Sequence, residues 1–301
     1  MKRTILFLSA LAALAGCSKS ERENTSFGDN VPVTLSAGIP TASIAPGSRA
    51  VVETGTAFTA GVAGWETSGA AAYGNAATWY TTANITASTT AQPVTLAEPQ
   101  VYNANNNIKT CMKAWYPAGE PANGSITFSN TDGTVDALFA GEVTGSKNDN
   151  TGKVLQFAHK STQLKFAVVA DASLAAGTTI EKISVLNAEL PTGFDLTADA
   201  ATYASPATLD VPGIPADKEI TATTAEVGNP VMIKPMSGNT VTLNIETSAA
   251  TFEGVTATID DDTNFVEGKA YTITLTFKQQ AVNLTATVAE WTTGTGSAEV
   301  E

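Results

Sequence analysis

Short runs in which apolar and polar residues alternate recur along the chain, broken by Gly, Pro, Asn and Asp. The alternation is clearest in Gln163-Leu164-Lys165-Phe166-Ala167-Val168, in Thr240-Val241-Thr242-Leu243-Asn244-Ile245 and in Tyr271-Thr272-Ile273-Thr274-Leu275-Thr276-Phe277. Successive residues of a strand point to opposite faces, so each run predicts a strand with one buried and one wet side, as in antiparallel sheets. Thr, Val, Ile and aromatic residues fill the runs, as strands prefer. No run carries apolar residues at helical spacing, and the patches Ala70-Ala71-Ala72 and Leu174-Ala175-Ala176 are short and flanked by Gly. The pattern predicts an all-β, antiparallel fold.

A strand-rich body of about 250 residues suits one large sandwich or two smaller ones. The stretch Gly145-Ser146-Lys147-Asn148-Asp149-Asn150-Thr151-Gly152 is the strongest turn signal in mid-chain and favours two, over 31–151 and 152–301. Residues 17–30 are polar and read as a flexible tether.

The N-terminus reads differently. Lys2 and Arg3 precede an uncharged, mostly apolar run from Thr4 to Gly16. That run falls short of the about 20 residues that span a bilayer and fits a secretory signal peptide over 1–16. It closes on Leu14-Ala15-Gly16-Cys17, which resembles the bacterial lipobox. The resemblance implies a lipid (palmitate) on Cys17. Ser18, where an Asp would signal inner-membrane retention, implies the outer membrane. With Cys17 acylated, Cys111 has no disulfide partner and reads as a small buried hydrophobe, so stability must come from the core.

Formal net charge is −13, and loss of Lys2 and Arg3 makes the mature chain more negative still. Such a chain repels phosphate backbones, which argues against nucleic-acid partners. His159 is the only histidine, so neither a His-based triad nor a multi-His metal site can be built. In Leu155-Gln156-Phe157-Ala158-His159 it shares a face with Leu155 and Phe157, the setting of a structural histidine. Asp260-Asp261-Asp262 lacks the spacing of a Ca²⁺ loop and reads as a solvated turn. There is no phosphate loop, nucleophile elbow or CxxC, and the sequence predicts no enzyme, metal or cofactor.

Arginine occurs only at positions 3, 22 and 49, whereas lysine continues to Lys278. An arginine-specific protease would cut such a chain only near its start. Arg49, followed by Ala50, lies in the Pro- and Gly-containing segment Ile44–Val51, where cleavage sites concentrate. A cut there detaches the strand-like stretch Val31–Ala37 together with the tether. A sheet deprived of a strand exposes unpaired backbone and open apolar pockets that demand a replacement.

At this point the chain resembles the fimbrillins, subunits of the protease-assembled (type V) pili of Bacteroidota. Leu155–Ser161 followed by Leu164-Lys165-Phe166 is similar to the family's Phe-x-His strand. Phe265–Leu275 is similar to its Gly-Lys-x-Tyr turn and strand, and Thr287-Val288-Ala289-Glu290-Trp291 to its penultimate Val-x-x-Trp strand. The resemblance implies two tandem transthyretin-like β-sandwiches, removal of residues 31–49 after Arg49, and polymerisation by strand donation. The implied donor is 282–301, in which Val282, Leu284 and Val288 alternate with polar residues and Trp291 adds an apolar anchor. Implied partners are other pilin subunits, chiefly copies of this chain in a homopolymer, the arginine-specific protease and a host or bacterial surface ligand. The site implied is an outer-membrane precursor and then an extracellular fimbrium. Two other readings stay open: a tip or accessory adhesin, and a glycan-binding lipoprotein using Trp65, Trp79 with Tyr80, or Trp115 with Tyr116.

Overall fold

A computed structural model describes residues 30–40, 52–259 and 262–279, and residues 281–290 along the backbone. Among the described residues there are twenty strands and no helix. The first eight are β1 (Leu35–Gly38), β2 (Ala57–Thr67), β3 (Trp79–Thr86), β4 (Gln92–Leu96), β5 (Lys109–Tyr116), β6 (Ser125–Thr127), β7 (Leu138–Gly145) and β8 (Val154–His159). Seven of them form a closed barrel in the order β1-β4-β3-β2-β5-β7-β8. All neighbours in the ring are antiparallel except the closing pair, in which β1 runs parallel to β8. Phe58, Val62, Met112, Leu138, Leu155 and Phe157 fill its interior. The two-sheet sandwich implied for this half is thus replaced by a ring, because β1 is paired along both edges. The Gly145–Gly152 turn joins β7 to β8, which pair within the barrel.

The remaining strands are β9 (Thr162–Ala170), β10 (Ile180–Ala188), β11 (Pro191–Asp195), β12 (Ala200–Tyr203), β13 (Ala207–Asp210), β14 (Ala225–Ile233), β15 (Met236–Ser237), β16 (Thr240–Thr247), β17 (Thr251–Thr258), β18 (Asn264–Phe265), β19 (Lys269–Lys278) and β20 (Ala281–Glu290). They build two four-stranded sheets, β13-β10-β16-β17 and β14-β9-β19-β20, and the small pair β15-β18. The three alternating runs seen in the sequence lie in β9, β16 and β19. Their apolar residues, among them Leu164, Phe166, Leu243, Ile245, Ile273 and Leu275, meet in one core.

A third sheet, β12-β11-β6, ties the halves together by pairing Ile126 with Phe194. Beneath it Trp65, Trp115, Phe139, Phe194 and Leu196 form a separate apolar cluster. Strands β2 and β5 are therefore covered on both faces. Gly61 and Gly64 leave β2 flat enough for the rings of Trp115 and Trp79 to lie across it, since a Cβ would stand 2.6 and 2.3 Å from their nearest atoms. Lys113 of β5 is buried beside this cluster. Its Nζ donates to the Leu196 carbonyl at 2.6 Å, pairs with Asp199 and lies 3.4 Å from the Tyr73 ring centroid. A cation of the first half is thus satisfied by the second. Asp199 is 46% exposed, and water screens its share of the pairing.

Lys113→Ala removes a packed stem as well as the charge and is expected to cost ~2–4 kcal/mol, with ~2–4 °C lost per kcal/mol in a chain of this size. Asp199→Ala should cost ~1 kcal/mol or less. Thermal unfolding of both variants checks this, and equal losses would contradict the assignment of the energy to the buried stem.

Candidate functional site

The candidate site is the strand that closes the barrel. In the segment around β1, Val33, Leu35, Ala37 and Ile39 are buried, while Pro32 and Thr34 are exposed and Ser36 is half-buried. This period of two seats one face in the barrel. On one side Leu35, Ser36 and Ala37 pair with Val94, Pro93 and Gln92 of β4. On the other, Ser36, Ala37 and Gly38 pair with Val154, Leu155 and Gln156 of β8. Flanking bonds extend the seam: Val33 N donates to Gln100 O and Ile39 N to Ser88 O, both at 2.8 Å, and Ser36 N donates to Lys153 O at 2.9 Å. Tyr102 backs the start of the seam, its N donating to Val31 O at 2.8 Å. Burial, with the Asp149 charge behind it, pushes the Tyr102 phenol up to about 12, so it stays neutral.

The chain is fixed again just past Arg49. Val52, buried in the barrel core, donates its N–H to Asp136 Oδ2 at 3.1 Å. The same carboxylate, fully buried, meets His159 Nδ1 at 2.9 Å. His159 therefore has the structural role expected of it, at the end of β8. Its partner Asp136 could not be picked from the sequence, where nothing distinguishes it from other acidic residues. Ile39 and Val52, on either side of the segment that holds Arg49 and Ala50, are both buried in the barrel core.

Val282, Leu284 and Val288 lie on β20, which pairs with β19 from Lys278↔Ala281 to Lys269↔Glu290. Among the described residues β20 stands at the end of its sheet, with β19 its one ladder partner there. The structure thus keeps the expected donor segment within its own chain, at an edge. Cys17, Arg49, Ala50 and Trp291 lie outside the described residues, as do Asp260 and Asp261. Asp262 accepts the Tyr271 hydroxyl at 2.9 Å and Lys269 Nζ at 3.2 Å, a role within the fold.

The aromatic residues considered for sugar stacking divide. Trp65 and Trp115 are buried and spend their indole N–H groups on the carbonyls of Asn75 and Gly119, so neither can stack on a ligand. Trp79, Tyr80 and Tyr116 are half-buried, Tyr116 edge-on to Phe58. Cys111 is a buried free thiol whose pKa burial raises, consistent with inertness. Among the described residues no group of His, Cys, Asp and Glu side chains is arranged to hold a metal ion.

Comparison with known proteins places this architecture. A solved candidate cell adhesion protein from Bacteroides uniformis is similar at a TM-score of 0.57 and 18% identity, covering 88% of this chain and 100% of that one. A second, from Bacteroides ovatus, gives 0.51 and 18%, covering 90% and 96%. A fimbrial assembly protein from Parabacteroides distasonis gives 0.51 and 11%, covering 90% and 99%. At these identities the likeness is one of fold. No curated protein sequence matches the chain. A prokaryotic membrane lipoprotein lipid attachment site matches residues 1–18, on the cysteine picked out as lipidated. The fimbrillin-like family model matches residues 48–291, most of the chain, and this protein belongs to the fimbrillin-like family.

Proposed function

We propose that this chain is a structural subunit of a surface pilus. It is exported as a lipoprotein held to the outer membrane through Cys17, cut after Arg49 by an arginine-specific protease, and polymerised by donor-strand exchange. The observation that carries the reading is the position of β1, the ring-closing strand that lies just upstream of the last arginine in the chain. Cleavage cuts β1 from the body, and its departure bares the edges of β4 and β8 and the slots of Val33, Leu35 and Ile39. Burying a side chain of that kind is worth about 1.5–3 kcal/mol. An emptied groove is therefore strongly biased to refill. In the precursor β1 plugs it, which holds polymerisation back until the lipoprotein reaches the surface.

The incoming strand is the segment 282–301 of another subunit. As an edge strand, β20 leaves at the expense of one ladder, and Trp291 follows it as an anchor. The family match begins at residue 48, beside the cut, which agrees with a mature body starting at Ala50. We read the chain as two units meeting near residue 160, the second being the transthyretin-like sandwich of two four-stranded sheets. No catalytic role is assigned, and any adhesion ligand is a host or bacterial surface molecule. A tip or accessory adhesin of the same build would differ in not donating a strand.

Arg49→Ala should leave a folded, lipidated precursor that forms no fibres when treated with an arginine-specific protease, while the native chain polymerises and yields a new N-terminus at Ala50. Fibres built from the Arg49→Ala precursor, or Edman sequencing that starts elsewhere, would contradict the processing step. A complementary variant, Leu35→Asp, buries an unpaired carboxylate under the plug and drives β1 out. It should polymerise without protease, and a precursor as inert as the native one would show that β1 is not the block.

A further inference from the structure

The barrel slots filled by β1 have a definite order of sizes: Val33, Leu35, Ala37 and Ile39, all pointing inward and each at most 7% exposed. The segment on β20 has Val282, Leu284, Ala286 and Val288 at the same spacing and in the same order. The pattern Val-x-Leu-x-Ala-x-Val/Ile occurs at these two places and nowhere else in the 301 residues. We infer that the groove left by β1 is built for residues 282–288 of a second copy of this chain. Val282 replaces Val33, Leu284 replaces Leu35, Ala286 replaces Ala37 and Val288 replaces Ile39, and the donor runs in the direction of β1, parallel to β8 and antiparallel to β4. The inference rests on strand donation between copies of the chain as proposed above and adds the direction and the register.

The small slot decides between alternatives. Ala37 is fully buried in a closed barrel, where added methylenes force strain. Sliding the donor by two residues in one sense puts Leu284 there, and in the other sense Val288. Running the donor backwards puts Leu284 against the Ala37 slot and Ala286 in the Leu35 slot, overpacking one and leaving a cavity in the other. A slide by one residue turns every apolar position outward. Only the stated register fits all four slots, with Val for Ile the one difference.

The intervening positions agree. Asn283, Thr285 and Thr287 replace Thr34, which is exposed, Ser36, which is half-buried, and Gly38. Thr34 Oγ1 donates to Asn150 O at 3.2 Å, a bond that the Asn283 amide can renew. The tight place is Gly38, where a Cβ would stand 3.2 Å from the Ala91 backbone and 3.3 Å from Ser88 O. Seating Thr287 there moves the Ser88–Ala91 connection between β3 and β4 by a few tenths of an ångström. In the monomer, positions 282, 284, 286 and 288 stand opposite Phe277, Leu275, Ile273 and Tyr271 of β19. The same alternation thus serves the subunit's own sheet before assembly and its neighbour's barrel after it. Because groove and donor belong to one sequence, the chain copolymerises with itself, as a shaft subunit must.

Paired cysteines in the full chain test this. Ala37 pairs with Gln92, so Ala286→Cys with Gln92→Cys joins neighbouring subunits only in the stated register. Both substitutions are mild, since Gln92 is exposed and Cys is close to Ala in size. After arginine-specific cleavage, assembly and mild oxidation, a non-reducing gel should show a ladder of disulfide-linked multimers. The pairs Leu284→Cys/Gln92→Cys and Val288→Cys/Gln92→Cys should link at least tenfold less. A ladder from either of these instead, or fibres in which no pair links, overturns the register while strand donation stands. Absence of fibres from all three variants and from the cleaved native chain overturns both.

Discussion

A sheet that closes on itself leaves no unpaired edge, and here closure depends on one four-residue strand. β1 is hydrogen-bonded to β4 on one side and β8 on the other, and its inward face completes the barrel core. Among the described residues it is also the first strand, joined to the rest through the segment that holds Arg49. A single peptide cut therefore changes the covalent status of the element on which the ring depends without touching any other strand. On the proposed pathway the precursor is stable because the plug is tethered, and the cleaved body is reactive because two backbone edges and four apolar slots need refilling.

The surroundings of the seam are tied to the body by contacts that do not involve β1. Downstream of the cut, the Val52 amide is held by Asp136, itself buried against His159 at the end of β8, so the strand that borders the groove keeps its position. Farther away, the β12-β11-β6 sheet and the buried Lys113 lock the barrel to the second unit. On the proposed pathway these contacts stay with the body, and the groove keeps the shape of the strand that leaves. That constraint makes the sizes of Val33, Leu35, Ala37 and Ile39 a template and gives meaning to their recurrence in residues 282–288.

Much of the second half could be read from period-two alternation, because β16 and β19 bury one face and wet the other; the buried settings of His159 and Cys111 in the first half were legible too. The barrel was less legible. Strands β2 and β5 are covered on both faces, so Gly61–Glu66 and Cys111–Tyr116 show no alternation, and the third apolar cluster that covers them is assembled from distant segments. The parallel β1–β8 pairing joins residues more than a hundred positions apart and leaves no local trace, which is why a ring was read as two sheets. The polar stretch Gly145–Gly152 signalled the turn that joins β7 to β8. Of the candidate site, the Val31–Ala37 strand and the position of Arg49 stood out from pattern and composition. Asp136 did not, since its importance comes from burial.

The most direct test of the exchanged strand is the density of the assembled fibre by cryo-electron microscopy at side-chain resolution. The account predicts that the place of β1 between β4 and β8 holds a strand continuous with the neighbouring subunit's β19, with no density for the subunit's own residues 31–40. A fibre in which each barrel is still closed by its own Val33, Leu35, Ala37 and Ile39 would contradict it.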